Sequence, residues 1–516
     1  MNVGSLLTLT TARFPDKIGL VEEDKRISYY EFNKRVNQLA NRLTSLNVGK
    51  GDKVGLYLHN SMEWAEIYYA LSKMGAVIVP INFRIKGQEL AYVINNSDTR
   101  ILFFDLDLEE NVEAVKMDLK KAKTFIVVGD IPSGRYPLYK ELFINSLDTE
   151  PGIFVSEEDI HSICYTSGTT GLPKGAVLTN MNVFTVHYLI NSVEFGLARD
   201  DVILATTPLS QRIGWGKLVT SIGLGCKLII MRSFDAIKAL NIIEEEKVTN
   251  LSIVPTIGRL ILQVPNLDSY TTSSLKSFLV SGEAFPIELK KALTEKFPQV
   301  KLFSCYASTE AGQVTSMTHE DMLKKPHSVG CPISCIEVKI ADEKGKEVKE
   351  GDVGEIIVKS GRRGMFGVIK EYYKDEQYTK ECFLGDWLKT GDMGKTDRDG
   401  YLYLVDRKKD MIVSGGYNIY SKEVEMILEG NEKVSEAAVI GVPDEQWGEA
   451  VKAFVVLKKG SVATQEEIIE FCKARLASYK KPKYIEFIDS LPRNALGKVQ
   501  KYRLKNSASS LKNCSS

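Results

Sequence analysis

The strongest constraint on the fold is an alternation of helix-like and strand-like segments. It runs from residue 17 to 150 and resumes from 160 to 262. Residues 29–46 place Phe32, Val36, Leu39, Ala40 and Leu43 on one face, the spacing of an amphipathic helix. A strand pattern follows at 53–58, a helix at 65–74 and strands at 76–80, 101–104 and 125–128, with a further apolar strand at 227–231. Such repetition predicts an α/β protein with mainly parallel sheets covered by helices. After about residue 330 the pattern changes. Short strands at 337–340 and 354–358 are separated by charged turns, with hairpin signals at 343–345 and 399–400. The chain is strongly charged from 405 to 409, then resumes with a helix at 421–429, strands at 436–441 and 451–457, and a helix at 464–476. This places a boundary near Lys409, with domains at 1–408 and 409–516. The Ser-rich tail after Asn506 is expected to fray.

A chain of 516 residues exceeds one ordinary core, which independently requires two or more domains. Basic and acidic residues balance at 67 each, so no global field draws the chain to nucleic acid or to an anionic membrane. Any bound anion needs a local site. The N-terminus has no basic run before a long apolar stretch, and no stretch has the length of a membrane span. The eight cysteines are scattered and the five histidines form no metal-spaced cluster, which fits reduced thiols in a cytoplasmic protein without zinc.

The most informative segment is Tyr165-Thr166-Ser167-Gly168-Thr169-Thr170-Gly171-Leu172-Pro173-Lys174-Gly175. Glycines let the backbone approach an anion, hydroxyls and N–H groups cradle phosphates, and a lysine adds a point charge. It is not a Walker A loop, because Lys174 follows Pro173 and precedes Gly175. Turn chemistry alone would account for a lone run of this kind, as a polar turn between strand and helix. Over all eleven positions, however, the segment resembles the signature of the adenylate-forming superfamily: acyl- and aryl-CoA synthetases, luciferases and nonribosomal-peptide adenylation domains.

The resemblance continues in order along the chain. Ser281-Gly282-Glu283-Ala284-Phe285-Pro286 resembles the turn that lies along adenine. Tyr306-Ala307-Ser308-Thr309-Glu310 resembles the Y-G-x-T-E motif, with Ala307 where glycine is usual. It implies that Tyr306 stacks on adenine, Thr309 contacts the α-phosphate and Glu310 holds Mg²⁺, a hard cation that suits a carboxylate. Asp392 closes a W-x-x-T-G-D motif and would accept from the ribose hydroxyls. Arg407 would bind ribose or phosphate, and Lys409 falls at the family's hinge. Pro492-Arg493-Asn494-Ala495-Leu496-Gly497-Lys498 matches P-x-x-x-x-G-K, so the catalytic lysine maps to Lys498. A cation there would stabilise charge building on the transferring group and on pyrophosphate.

What the resemblance implies is a helix-covered N-terminal domain with a small β-barrel-like subdomain, and a small mobile α+β C-terminal domain. It implies ATP-dependent activation of a small carboxylic acid to an acyl-adenylate, then transfer to coenzyme A. Thr170, Lys498 and Glu310 would serve catalysis, and the C-terminal domain would rotate about Lys409 between the half-reactions. Gly415 and Gly416 would leave room for the pantetheine arm. The acyl pocket would draw on Gln211, Arg212, Trp215, Cys305 and Ala311, although Gln211 stands where a histidine is usual. Arg212 could equally be a snorkelling surface residue and Trp215 plain core. An enzyme loading a carrier protein's phosphopantetheine would share every motif, as would a luciferase-like oxygenase. The absence of a fused carrier domain after Lys498 favours coenzyme A. A non-catalytic nucleotide-binding protein would be expected to have lost Lys498 or Glu310. A homodimer is open, and so is control by acylation of Lys498, which would remove its charge.

Overall fold

A computed structural model of the chain describes residues 2–166, 172–282, 285–493 and 499–510. The chain divides into two compact units. The first comprises 1–338, 358–388 and 400–402; the second comprises 339–357, 389–399 and 403–516.

Two seven-stranded sheets organise the first unit. One runs Lys301–Ser304, Ser277–Val280, Asn250–Ile253, Val202–Ala205, Lys227–Ile230, Ile18–Glu22, Lys25–Ser28. It is parallel apart from its last pair, an antiparallel hairpin. The other runs Glu371–Tyr372, Lys174–Thr179, Ile160–Thr166, Val77–Pro80, Lys53–Tyr57, Ile101–Asp105, Thr124–Val128. Its parallel strands are buried end to end, as at Val77–Pro80 and Ile101–Asp105, because helices cover both faces.

The expected helices form for identifiable reasons. Tyr29–Ser45 starts at Ser28, whose hydroxyl accepts from the Glu31 N–H at 3.2 Å. It buries Phe32, Val36, Leu39, Ala40 and Leu43, the face read from the sequence. Each of the larger of these side chains stabilises the fold by roughly 1.5–3 kcal/mol. The next helix, Met62–Met74, begins three residues before the expected start, because Ser61 caps it by accepting from the Trp64 N–H at 3.1 Å. Nearly every residue of that helix is buried, Glu66 among them. Glu66 takes both Nε and Nη2 of Arg35 and the Tyr139 hydroxyl, so its charge is paired where water cannot reach it.

A five-stranded sheet carries the short strands between residues 337 and 407, the β-rich region expected there. The second unit is built on another five-stranded sheet. Its long hairpin pairs Val434–Asp444 with Gly448–Leu457. Strand periodicity sorts its side chains to two faces. Ala437 and Val439 join a core with Val424, Leu428, Ile468 and Cys472, while Ala438 and Ile440 join Phe454, Leu491 and Leu504. The second of these cores corrects the expectation of a frayed tail for residues 507–510; 511–516 lie outside the described residues. Lys501–Ser510 is helical, held by Leu504 and Ala508 against the sheet. No helix among the described residues is long and apolar enough to cross a membrane. The described cysteines are free thiols.

Candidate active site

The hydroxyl-and-glycine segment starts from strand Ile160–Thr166 and returns as strand Lys174–Thr179, antiparallel to it with Thr166 opposite Lys174. It therefore joins two strands, and the alternative of a turn between strand and helix is excluded. A Cβ on Gly175 would lie 2.7 Å from Ile163 and 3.2 Å from the Tyr165 ring, so glycine is what lets this ring lie across the pair. Ser167, Gly168, Thr169, Thr170 and Gly171 lie outside the described residues, as do Glu283, Ala284 and Lys498.

Thr166, the last described residue before the loop, donates its hydroxyl to Glu310 Oε1 at 2.8 Å. The Tyr372 phenol lies near Glu310. Its pKa is raised first by burial and then by that carboxylate. Glu310 has no ion-pair partner among the described residues. A carboxylate flanked by two hydroxyls and free of a salt bridge suits a hard divalent cation. Lys174 is engaged locally: its ammonium meets Asp375 Oδ2 at 2.6 Å and sits 3.7 Å above the Tyr378 ring. That hydrogen bond holds the Asp375 carboxyl below its usual range.

The motif around Glu310 is a tight hairpin in which Ala307 pairs with Gln313 and Ser308 with Gly312. Ser308 Oγ accepts from the Ala311 N–H at 2.9 Å. Tyr306 is buried at the base, its N–H donating to Thr315 Oγ1 at 3.2 Å. Gly282 has φ +92°, a left-handed conformation that a side chain would strain.

Helix Arg212–Leu224 packs against this hairpin. Gln211 begins it, its carbonyl accepting from the N–H groups of Gly214 and Trp215 at 2.9 and 3.1 Å. Arg212 is 9% exposed, so the snorkelling alternative is excluded. One guanidinium nitrogen, Nη1, donates to the Thr309 carbonyl, and Nε reaches His187 Nε2 at 3.2 Å. Its Nη2 has no partner among the described residues. Burial lowers the Arg212 pKa to about 10 and pushes His187 far below the usual imidazole range, which fixes His187 as a neutral acceptor. Trp215 is fully buried, its ring 4.8 Å from His187 and 5.9 Å from Tyr68. Cys305 is a thiol whose pKa burial raises to about 11, and Ala311 is fully buried.

Two residues here escaped the sequence reading. His187 lies on a π-helical stretch, Phe184–Ile190, a widened turn often found at functional sites. The available signal was Gly216, where a Cβ would come within 2.4 Å of the His187 ring. Lys217 is 3% exposed on the same helix. No spacing rule marks a lysine as buried.

In the second unit, Asp392 and Arg407 come together. Arg407 Nε lies 2.6 Å from Asp392 Oδ1, and the Asp392 N–H donates to Thr390 Oγ1 at 3.1 Å. Lys408 pairs with Glu355 at 2.7 Å, and Lys409 sits in the short turn Lys408–Asp410. Gly415 and Gly416 have φ +57° and +81° between strands Ile412–Ser414 and Tyr417–Ile419. A Cβ at Gly415 would meet the Trp447 ring at 2.8 Å, whereas Gly416 faces open space.

Known proteins match this pattern along the whole chain. The family model for AMP-binding enzymes matches residues 7–373, and that for the AMP-binding enzyme C-terminal domain matches 423–498. A long-chain-fatty-acid–CoA ligase, FadD13 of Mycobacterium tuberculosis, is 34% identical over 97% of both chains. A 2-succinylbenzoate–CoA ligase of Bacillus licheniformis is 33% identical over 95% of this chain and 97% of its own length. The crystal structure of the anthranilate CoA ligase AuaEII with anthranoyl-AMP superposes with a TM-score of 0.88 at 28% identity, covering 100% of this chain and 98% of that one. With the loop, the Glu310 hairpin and the two family models in register, the chain belongs to the AMP-binding enzyme family, the acyl- and aryl-CoA synthetases of the adenylate-forming superfamily, and is an AMP-forming acid–thiol ligase.

Proposed function

We propose that the chain joins a small carboxylic acid to coenzyme A in two steps, with named residues serving each. The carboxylate attacks the α-phosphate of ATP to give acyl-AMP and pyrophosphate. The thiol of coenzyme A then attacks the mixed anhydride and AMP departs. No side-chain nucleophile is required, so the protein's task is positioning and charge neutralisation.

The observation that carries the residue assignment is the hydrogen bond from Thr166 to Glu310 at 2.8 Å, which ties the phosphate-loop strand to the motif expected to hold magnesium. In this reading Thr166, Ser167, Gly168, Thr169, Thr170, Gly171 and Lys174 receive the phosphates. Gly282, Glu283, Ala284, Tyr306, Ala307 and Ser308 border the adenine, and Thr309 meets the α-phosphate. Glu310 holds Mg²⁺, which neutralises phosphate charge when bound. The carboxylate, without a salt bridge among the described residues, and its two hydroxyl neighbours support that role. Asp392 accepts from the ribose hydroxyls, and Arg407, already paired with it, orients that carboxylate. Lys498 serves adenylation alone. Gly415 and Gly416 face the pantetheine arm, and the open space beside Gly416 supports this. The functional domains divide at 408/409 with Lys409 at the junction, and the two family models fall on either side. The reaction takes place in the cytoplasm.

Lys498→Ala, assayed for adenylate formation and separately for thioester formation from supplied acyl-AMP, tests the division of labour. The first activity falls and the second is kept; equal loss of both overturns it.

A further inference from the structure

The helix Arg212–Leu224 carries two buried cations. Arg212 is engaged by His187 and Thr309. Lys217 is not: among the described residues its ammonium makes no hydrogen bond and no ion pair. The neighbours it meets are the Phe195 ring, 5.6 Å from Nζ, and the Cys305 thiol. Among the described residues the titratable groups facing it are Cys305 and His187, and both are neutral at pH 7, so neither supplies a counter-charge. A cation–π contact at that distance is a weak attraction. Removing an ammonium from water costs several kcal/mol even after relaxation. The contact cannot offset the burial. Buried charges are kept when something pairs with them, and among the described residues none brings an anion to Lys217.

The position says where the anion comes from. Cys305 directly precedes Tyr306 and its thiol lies near Ser281, next to Gly282, so Lys217 lies beside the two turns assigned to the adenylate. Arg212 contacts the Thr309 carbonyl at the start of the same helix. Five residues further along, Lys217 lies on the order of 7 Å from Arg212 along the helix axis. Cys305 and Ala311, both assigned to the acyl pocket, are small side chains.

We propose that Lys217 closes the far end of the acyl pocket and selects acids bearing a second anionic group, so that the substrate is a dicarboxylic acid activated at one end. This deepens the ligase reading and rests on it. The near carboxylate attacks ATP, and the far one pairs with the buried ammonium. Lys217 is a specificity determinant and touches no reacting atom.

The experiment compares kcat/KM for coenzyme-A-dependent AMP release across chain-matched pairs: adipate against hexanoate, suberate against octanoate, homophthalate against phenylacetate. The wild type favours the diacid of the best pair at least roughly tenfold, and Lys217→Met lowers diacid kcat/KM by roughly 30-fold or more while monoacid turnover is kept or raised. A diacid-to-monoacid ratio unchanged by Lys217→Met overturns the proposal, while monoacid turnover in both proteins leaves the ligase reading standing. If no acid yields AMP, the ligase reading falls, and diacid binding by calorimetry then decides. Binding lost in Lys217→Met supports the anchor; equal binding, or none to either protein, overturns it.

Discussion

Lys217→Met tests the argument for an unpaired buried ammonium without any substrate. Methionine keeps an unbranched stem and removes the charge. Burial lowers the Lys217 pKa from 10.5 to about 8. At about 1.4 kcal/mol per pKa unit, the ammonium opposes folding by about 3 kcal/mol at pH 7. The pH dependence follows from proton counting. Below about pH 8 folded and unfolded chains both hold the proton, and the cost is present in full. Between about pH 8 and 10.5 the folded chain releases it first, so the unfolded state binds more protons and stability rises with pH. Above 10.5 no penalty remains. Urea unfolding followed by tryptophan fluorescence, which senses the fully buried Trp64 and Trp215, reads this directly. The variant should be more stable than the wild type by up to about 3 kcal/mol at pH 7, with the difference shrinking toward zero by pH 10.5. Taking the difference between the two proteins cancels the other titrating groups. A variant equal to or less stable than the wild type at pH 7, with a flat difference across pH, would refute the reasoning.

Other outcomes follow from the same geometry. Glu310→Gln removes the carboxylate assigned to magnesium, and kcat for adenylate formation should fall roughly 100-fold or more, with a steeper dependence on added Mg²⁺; an unchanged magnesium profile would remove that role. Lys498→Ala should cost a similar factor in adenylation and little in thioester formation from supplied acyl-AMP. Glu66→Ala removes the buried carboxylate to which Arg35 and Tyr139 donate and should destabilise the first unit by about 1–3 kcal/mol in urea melts. Gly282→Ala forces a side chain into φ +92°, although Val254 at 3.4 Å leaves room for it. The cost of about 1–2 kcal/mol should fall on the adenine-side turn and raise KM for ATP, with coenzyme A unaffected.

Local pattern carried much of the fold. The face of the Tyr29–Ser45 helix, the apolar parallel strands and the hairpin turn at Gly400 are all set by neighbours within a few residues. Partnerships across the chain were not legible. Nothing in residues 18–22 announces that Leu20 pairs with Leu228 in a sheet built mostly from the other end of the unit. The first residues of the Ser-rich tail after Asn506 were expected to fray, yet they continue the helix Lys501–Ser510, which Leu504 docks on a strand more than 60 residues away. Within the site, the residues assigned to the nucleotide stood out by motif, since phosphate and adenine recognition restrict residue type at fixed spacing. Lys217 and His187 did not. Their meaning lies in burial and in what surrounds them, which depends on packing between distant segments.

The central claim is acid activation through an adenylate with transfer to a thiol. Purified protein incubated with ATP, Mg²⁺, coenzyme A and the acid panel tests it most directly when nucleotide products are resolved by chromatography. The account predicts AMP and pyrophosphate in equal amounts, dependent on acid and coenzyme A, with an acyl-CoA formed for each AMP. Release of ADP and phosphate, or AMP formed with no thioester under any acid, would contradict it.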